Sequence, residues 1–230
     1  MIYVTGDTHG RLDYNKLSSL QFPEQKKLTR ADYVIIAGDF GGIWDGKKDN
    51  WILDWYENKP FTVCWVDGNH ENFDLINQYP ITEWNGGKVH QIRPSVYHLM
   101  RGQVFTIDNK TFFTFGGALS IDKSRRKEGE TWWPEEIPSE QEVEEAFNNL
   151  AAHNNQVDYV ITHTAPRKIM NYLHNVSLFN NYWGKIEDPT TKMLDEFETI
   201  ISFKHWYFGH FHVDEKINKY TALYDRVIKI

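Results

Sequence analysis

Short apolar runs that end in glycine, an acid or histidine are the feature of this sequence that most limits its fold. Each run is four to seven residues long and rich in Val, Ile, Phe, Tyr and Thr, which is typical of buried strands. In chain order the runs are "IYVTGD", "DYVIIAGD", "FTVCWVDGN", "FFTFGGA", "DYVITHT" and "HWYFGHFH". The pattern predicts several buried strands with polar residues concentrated at one end of each.

Apolar positions at helical spacing predict two helices late in the chain. The first begins at a capping box of Ser139 and Glu142, and the second at an N-cap, Asp188, followed by Pro189. Their apolar faces comprise Val143, Ala146, Phe147, Leu150 and Ala151 in the first and Met193, Leu194, Phe197, Ile200 and Ile201 in the second. Strands that alternate with helices indicate α/β organisation.

The middle and the end of the chain have a different pattern. Between residues 89 and 119 apolar runs follow one another with only short turns, which predicts antiparallel hairpins, and residues 213–230 resemble a further hairpin. Residues 120–138 lack periodicity and mix basic, acidic and tryptophan residues. An irregular segment of that length is usually functional or mobile, so we expect it to cover the active site. Without a repeat or linker, we predict one domain over residues 1–230.

Composition restricts the partners and the compartment. The formal net charge is -7, whereas proteins that hold long duplexes by their phosphates are usually basic, so extensive duplex binding is disfavoured. The single cysteine, Cys64, lies in an apolar run and is expected to be a buried thiol. No leader peptide or membrane span is visible, so we expect no membrane partner and a cytoplasmic location. The oligomeric state is left open.

Metal-ligating side chains follow five of the predicted strands. In open α/β sheets, ligand sites form at the carboxyl ends of strands, so these side chains are expected to share one rim. They are oxygen and nitrogen donors without thiolates, which suits Mn, Fe, Zn or Mg, and a shared carboxylate can bridge two ions about 3.5–4 Å apart. The donors are Asp7, His9, Asp39, Asn69, His163, His210 and His212.

Five ordered motifs resemble those of the calcineurin-like metallophosphoesterase superfamily, particularly its bacterial and phage members. The motifs are "GDTHG", "GDFGG", "GNHE", "THTAP" and "GHFH", and they extend from Gly6 to His212. The resemblance implies an α/β fold in four layers, a two-layered mixed β-sandwich flanked by helices. It also implies a dinuclear metal-dependent phosphoesterase with two divalent ions. Mn²⁺ is our first expectation, with Fe, Zn, Ni or Mg as alternatives.

The resemblance further implies a role for each motif residue. His70 would not bind metal but would sit near the leaving oxygen and give it a proton or a hydrogen bond. A metal-bound hydroxide that bridges the ions would attack phosphorus in line, without a covalent intermediate. The ligands would be Asp7, His9 and His212 for one ion, Asn69, His163 and His210 for the other, and Asp39 as the bridge.

The run "KSRRK" in residues 120–138 has two interpretations. It is either a solvated loop or a phosphate clamp in which Arg125 or Arg126 binds substrate in bidentate fashion. The surrounding stretch resembles a loop of the bacterial and phage members, which makes Arg126 our first choice. Trp132 and Trp133 either stack on a base or fix the loop to the core. Arg11 is a weaker candidate for substrate binding.

The expected substrate is a phosphodiester or phosphomonoester in a small molecule, a nucleotide or a nucleic-acid end. A Ser/Thr protein phosphatase is an alternative because "GNHE" matches that class. However, the Asp-Arg-Gly of those enzymes is absent, since Gly41, Gly42 and Ile43 follow instead. A nuclease specialised for duplexes is disfavoured by the acidic charge. A non-catalytic metal-bound scaffold is the third alternative, and the complete ligand set with His70 favours catalysis over it.

Overall fold

A computed structural model describes residues 1–175 and 187–230. The described residues form thirteen strands, which are β1 (Ile2–Thr5), β2 (Tyr33–Ile36), β3 (Thr62–Trp65), β4 (Ile81–Trp84), β5 (Gly87–Arg93), β6 (Val96–Leu99), β7 (Gln103–Ile107), β8 (Lys110–Phe115), β9 (Tyr159–Thr162), β10 (His205–Phe208), β11 (Glu215–Ile217), β12 (Tyr220–Ala222) and β13 (Ile228–Lys229). The α-helices are α1 (Asn50–Glu57), α2 (Phe73–Ile76), α3 (Glu140–Ala152), α4 (Arg167–Asn175) and α5 (Pro189–Ile200). None of these helices is long and apolar enough to cross a membrane.

The strands form two mixed sheets. The first has the order β13–β1–β2–β3–β6–β5–β4, and the second has the order β11–β12–β10–β9–β8–β7. In the first sheet β1, β2 and β3 are parallel neighbours, and in the second β9 and β10 are parallel neighbours. The carboxyl ends of the strands that precede the predicted ligands therefore meet at one rim in each sheet.

Three apolar clusters separate the layers. The cluster between the sheets includes Val4, Ile35 and Phe112, and the thiol of Cys64 is buried there as predicted. The outer face of the first sheet packs against α1 through Leu53, among others. The outer face of the second packs against α3, α4 and α5, where Phe197 lies in the centre of an aromatic group. These layers confirm the predicted sandwich flanked by helices.

The local predictions can be compared element by element. The pairs β5–β6, β7–β8 and β11–β12 are antiparallel, as the middle and terminal patterns predicted. Ser139 and Glu142 form the capping box of α3, and the Asp188 carboxylate caps α5 by accepting from the Thr190 N–H at 2.8 Å. The short helices α1 and α2, together with α4 and β4, did not stand out in the sequence.

The irregular segment, residues 120–138, contains only two short 3₁₀ turns, Lys123–Arg125 and Pro134–Glu136. It is attached to the rest of the fold by polar contacts. The indole N–H of Trp133 donates to Asp74 Oδ2 at 2.9 Å, and Trp133 itself is buried. Within the segment, Lys123 Nζ lies 2.8 Å from the buried carboxylate of Glu136. The segment is thus irregular in its backbone and yet fixed by specific contacts.

The capping box of α3 gives a direct test of local stability. We expect Ser139→Ala to lower the free energy of unfolding by about 1 kcal/mol, because the Glu142 N–H loses the hydroxyl that caps it and the Glu142 carboxylate loses its bond from that hydroxyl. For a chain of this size that corresponds to a fall in Tm of roughly 2–4 °C. Ser124→Ala, on the exposed 3₁₀ turn, is the matched control. Equal Tm values for the two variants would contradict the prediction.

Candidate metal centre

The loops that follow β1 and β2 bind each other through their backbones. The N–H groups of Thr8 and His9 both donate to the Asp39 carbonyl, at 3.1 and 2.7 Å, and the Gly10 N–H donates to the Phe40 carbonyl at 2.8 Å. The side chain of Thr8 also donates to the Phe40 carbonyl at 3.0 Å. These bonds fix Asp7 and His9 relative to Asp39, so the loops after β1 and β2 hold these three side chains in one arrangement.

Four predicted ligands have left-handed backbone conformations. The φ angles are +42° at His9, +45° at Asp39, +68° at His210 and +51° at His212. The other described non-glycine residues with positive φ are all Asn or Asp, which tolerate this region. Histidine is also enriched in this region, but three of the four residues are histidines at one rim, and sparsely populated backbone conformations are concentrated at functional sites. The fold therefore imposes a local conformational cost to aim these side chains at the rim.

Two buried carboxylates form the centre of the site. Asp7 accepts from the His210 N–H, with 3.0 Å to Oδ1, and Asp39 Oδ1 accepts from the His70 N–H at 2.8 Å. Gly209 and Gly68 leave room for these bonds, because a Cβ on either would lie 2.0 Å from Oδ1 of Asp7 or Asp39 respectively. The glycine before His210 and the glycine before Asn69 are thus required by close approach.

The predicted ligands converge around these two carboxylates. One group of donor atoms within 4.8 Å of one another belongs to Asp7, His9 and His212, which is the set that the sequence assigned to one ion. A second group belongs to Asp7, Asp39 and His163. Asp7 belongs to both groups, and Asp39, a member of the second, also approaches the first, with Oδ2 at 3.3 Å from His9 Nε2 and Oδ1 at 3.4 Å from His163 Nε2. This placement fits a carboxylate shared by two ions.

The two remaining predicted ligands lie beside His163. Asn69 Oδ1 is 3.1 Å from His163 Nε2, and His210 Nδ1 is 3.2 Å from the same nitrogen. Both residues are buried. The structure therefore brings all seven predicted ligands into one cluster, and their division between two ions stays a proposal.

Partners behind the ligands orient the donor atoms. The Asp13 carboxylate contacts His9 Nδ1 at 2.7 Å, and the Ala37 carbonyl accepts from His163 Nδ1 at 2.9 Å, which leaves both Nε2 atoms facing Asp39. The Asn69 amide donates to Ser120 Oγ at 3.0 Å, which turns its oxygen inward. Such contacts are typical around metal-bound histidines and amides. The sequence analysis missed them, although Asp13, four residues after His9, could have been recognised.

Electrostatics also favour a cation at this position. Burial lowers the pKa of His9, but its hydrogen bond to Asp39 and the nearby carboxylates outweigh burial and raise the pKa to about 9. Burial opposes the charge on His163 as well, yet the Asp39 carboxylate raises its pKa to about 10. His9 and His163 thus take up protons to balance the buried acids, whereas burial and the neighbouring His163 lower the pKa of His210 to about 3. A divalent cation would replace those protons, so the donor set fits a metal, and affinity should fall as pH falls.

His70 and Arg126 contact each other in the wall of a cavity of about 220 Å³ beside the ligands. Arg126 Nη1 lies 2.8 Å from His70 Nδ1. Because a guanidinium only donates, Nδ1 is the acceptor, which places the ring proton on Nε2, 3.4 Å from Arg126 Nη2. Burial and the charge of Arg126 lower the pKa of His70, against the opposing effect of the Asp39 carboxylate. Leu119 and Ile121 form an apolar part of the cavity wall.

The other predicted substrate contacts are placed differently. Arg125 is exposed on its 3₁₀ turn, and Trp132 lies under the ammonium group of Lys123, 4.5 Å from its ring centre. Trp133 is buried, and it packs edge-on against Trp44 with the ring centroids 5.6 Å apart. Arg11 donates to the Lys48 carbonyl at 2.9 Å. Arg126 alone among these side chains lines the cavity, and stacking of the tryptophans on substrate stays a prediction.

Comparisons with known proteins agree with this geometry. The family model described as calcineurin-like phosphoesterase matches residues 1–214. Lariat debranching enzyme A of Xenopus laevis is 23% identical over 239 residues, which cover 92% of this chain and 42% of the relative. The chain thus spans less than half the length of that curated relative. Because the family match covers residues 1–214 of the 230, the chain belongs to the calcineurin-like phosphoesterase family.

Proposed function

We propose that this chain hydrolyses a phosphodiester or phosphomonoester at a centre of two divalent metal ions. The observation that carries the proposal is the convergence of seven donors around Asp7 and Asp39 beside the His70–Arg126 pair. Asp7, His9 and His212 would hold one ion, Asn69, His163 and His210 the other, and Asp39 would bridge them. We expect Mn²⁺, with Fe, Zn, Ni or Mg as alternatives.

Divalent ions bound there would act as Lewis acids on phosphoryl oxygens and make hydroxide available near neutral pH. The chain itself supplies the remaining chemistry. Arg126 binds the non-bridging oxygens of the phosphoryl group and neutralises charge that develops on them. His70 directs its Nε2–H toward the leaving oxygen and assists its departure. Leu119 and Ile121 reduce the access of bulk water to this side of the cavity.

The volume of the cavity and the net charge of the whole chain favour a small ester group as the reacting unit. A cavity of about 220 Å³ accommodates a phosphoryl group with part of one substituent, so the rest of a larger substrate would lie outside. The net charge of -7 again disfavours a long duplex. We therefore propose a small molecule, a nucleotide or a nucleic-acid end. The name of the relative describes debranching of lariats, and a lariat is included below as a test substrate only.

One assay series tests this function. Purified protein loaded with Mn²⁺ is analysed for metal content and given a phenyl phosphodiester, a phenyl phosphomonoester, nucleotides and a lariat. We expect two metal ions per chain and hydrolysis of at least one ester. A diester preference would exclude the Ser/Thr protein phosphatase alternative. Two bound ions without hydrolysis of any substrate would overturn the proposal in favour of a metal-bound scaffold.

The role of Arg126 can be tested in the same assay. We expect Arg126→Ala to lower kcat/KM by about 10- to 100-fold, because hydrogen bonds to charged groups contribute roughly 1.5–3 kcal/mol. Arg125→Ala removes the same charge from the neighbouring position, which is exposed, and should leave kcat/KM unchanged. Equal effects of the two variants would instead indicate a general contribution of charge from the loop.

A further inference from the structure

Arg101 lies buried behind the turn that carries Asn69 and His70. Its guanidinium donates to Asp67 Oδ2 twice, from Nε at 2.8 Å and from Nη2 at 2.5 Å. The side chains of Arg101 and Asp67 are only 4% and 2% exposed. Asp67 follows β3 and is separated from Asn69 by a single glycine. The ion pair therefore fixes the first residue of the turn that presents the predicted ligand and the predicted acid.

Asp67 is held on its other sides as well. His98, on β6, places Nε2 at 3.2 Å from Asp67 Oδ1, and the Asp67 carbonyl accepts from the Gly117 N–H at 2.9 Å. The Arg101 guanidinium, the His98 ring and the Gly117 N–H thus hold Asp67 from three sides, and its side chain is buried.

The same guanidinium also contacts the end of the irregular segment. Nη2 donates to the Glu135 carbonyl at 2.8 Å, and Nη1 lies 3.3 Å from the Glu142 carboxylate at the start of α3. The irregular segment carries Arg126, which in turn contacts His70. Arg101 therefore connects the two parts of the chain whose side chains meet in the cavity.

Global stability alone is a weak explanation for such a pair. Desolvation largely cancels the attraction within a buried ion pair, and apolar replacements are often as stable. The planar guanidinium, however, places two nitrogens, Nε and Nη2, on Asp67 Oδ2, leaves Oδ1 to His98, and still has donors for the Glu135 carbonyl. A lysine supplies the charge without the fork. The geometry is therefore suited to fixing an orientation.

We propose that Arg101 is a positioning residue, which acts through Asp67 to hold His70 in line with the leaving oxygen. The inference rests on the proposed function, since it assigns the support for His70 in that reaction. Loss of the fork should leave the metal ligands in place and loosen the alignment of His70. Its signature is therefore dependence on the leaving group, because a poor leaving group needs the hydrogen bond from His70 more than a good one does.

The test uses Arg101→Lys with a phenyl and a para-nitrophenyl ester of the same type. We expect kcat for the phenyl ester to fall about 10- to 100-fold, as for other groups that orient a site from behind, with a much smaller fall for the para-nitrophenyl ester. Metal content and KM should stay at the wild-type level. Arg30→Lys is the control, because Arg30 bridges the Phe61 carbonyl and Ser95 at the opposite end of β3.

If Arg101→Lys does not fold, the double variant Asp67→Asn/Arg101→Gln tests the proposal in its place. It removes both charges and leaves an amide pair, and we expect a folded protein with the same dependence on the leaving group. Wild-type kcat on both esters in either variant would overturn the proposal. An equal loss on both esters, or a loss that follows metal content, would overturn it too. Inactive wild-type protein would instead contradict the proposed function.

Discussion

Replacing Asp39 by asparagine is expected to lower kcat/KM by about 10³-fold or more and to reduce the metal content below two ions per chain. The Asp39 carboxylate has one oxygen near His9 Nε2 and the other near His163 Nε2, at 3.3 and 3.4 Å. An amide removes the charge and points an N–H₂ group at one of the positions where an ion would bind. Metal analysis by mass spectrometry and steady-state kinetics on the phenyl esters measure the two effects.

Asp122→Asn is the matched control for Asp39→Asn. Asp122 borders the same cavity, but its carboxylate pairs with Arg126 Nε at 2.7 Å and lies outside the donor groups. We expect the control to retain both ions. If Asp39→Asn retained two ions and wild-type kinetics, the bridging role would be wrong and the ions would have to be shared by another carboxylate, for which Asp7 is the candidate.

The second large effect is expected at His70. His70→Asn should lower kcat on a phenyl ester by about 10²- to 10³-fold, the usual cost of removing one hydrogen-bond donor from an oxygen on which negative charge develops. On a para-nitrophenyl ester the loss should be much smaller, because that leaving group is stable as an anion without the hydrogen bond. Metal content should not change, since the His70 side chain belongs to neither donor group. Kinetics on both esters and metal analysis are the measurements.

His153→Asn serves as the control for the loss of an imidazole, because His153 is exposed at the end of α3. We expect wild-type kinetics from it. Full activity of His70→Asn on the phenyl ester would show that the leaving oxygen departs without help from this ring. In that case the contact between Arg126 and His70 would serve only to place the guanidinium.

The order of layers and the position of the ligands could be predicted because both depend on local patterns. Buried strands have a recognisable composition, and the residues that follow them lie at one rim whenever the strands are parallel neighbours. The cap of α3 was equally visible, since Ser139 and Glu142 are three residues apart. Helix α1 was missed because only eight residues carry its pattern, and tertiary packing of Leu53 and Tyr56 decides its conformation.

The contacts behind the ligands could not be predicted because they join residues that are far apart in sequence. Ser120 and Asn69, which are hydrogen-bonded, are 51 positions apart in the sequence, and Arg101 and Asp67 are 34 positions apart. Glu71 shows the same limit. Its buried carboxylate accepts from the N–H groups of Phe40 and Gly41, at 2.7 and 3.2 Å, which follow β2 about 30 positions earlier in the chain. No periodicity encodes such pairings.

The glycines beside the two central carboxylates affect how mutational data on this protein should be interpreted. Gly68 and Gly209 contribute no donor atom and no charge, yet even a methyl group at either position would collide with Asp39 or Asp7. An alanine scan would therefore count them among the essential positions and show no difference between a steric requirement and a chemical one. Libraries designed to change substrate preference should leave both positions fixed and vary Leu119 and Ile121, where the cavity wall can change without displacing a ligand.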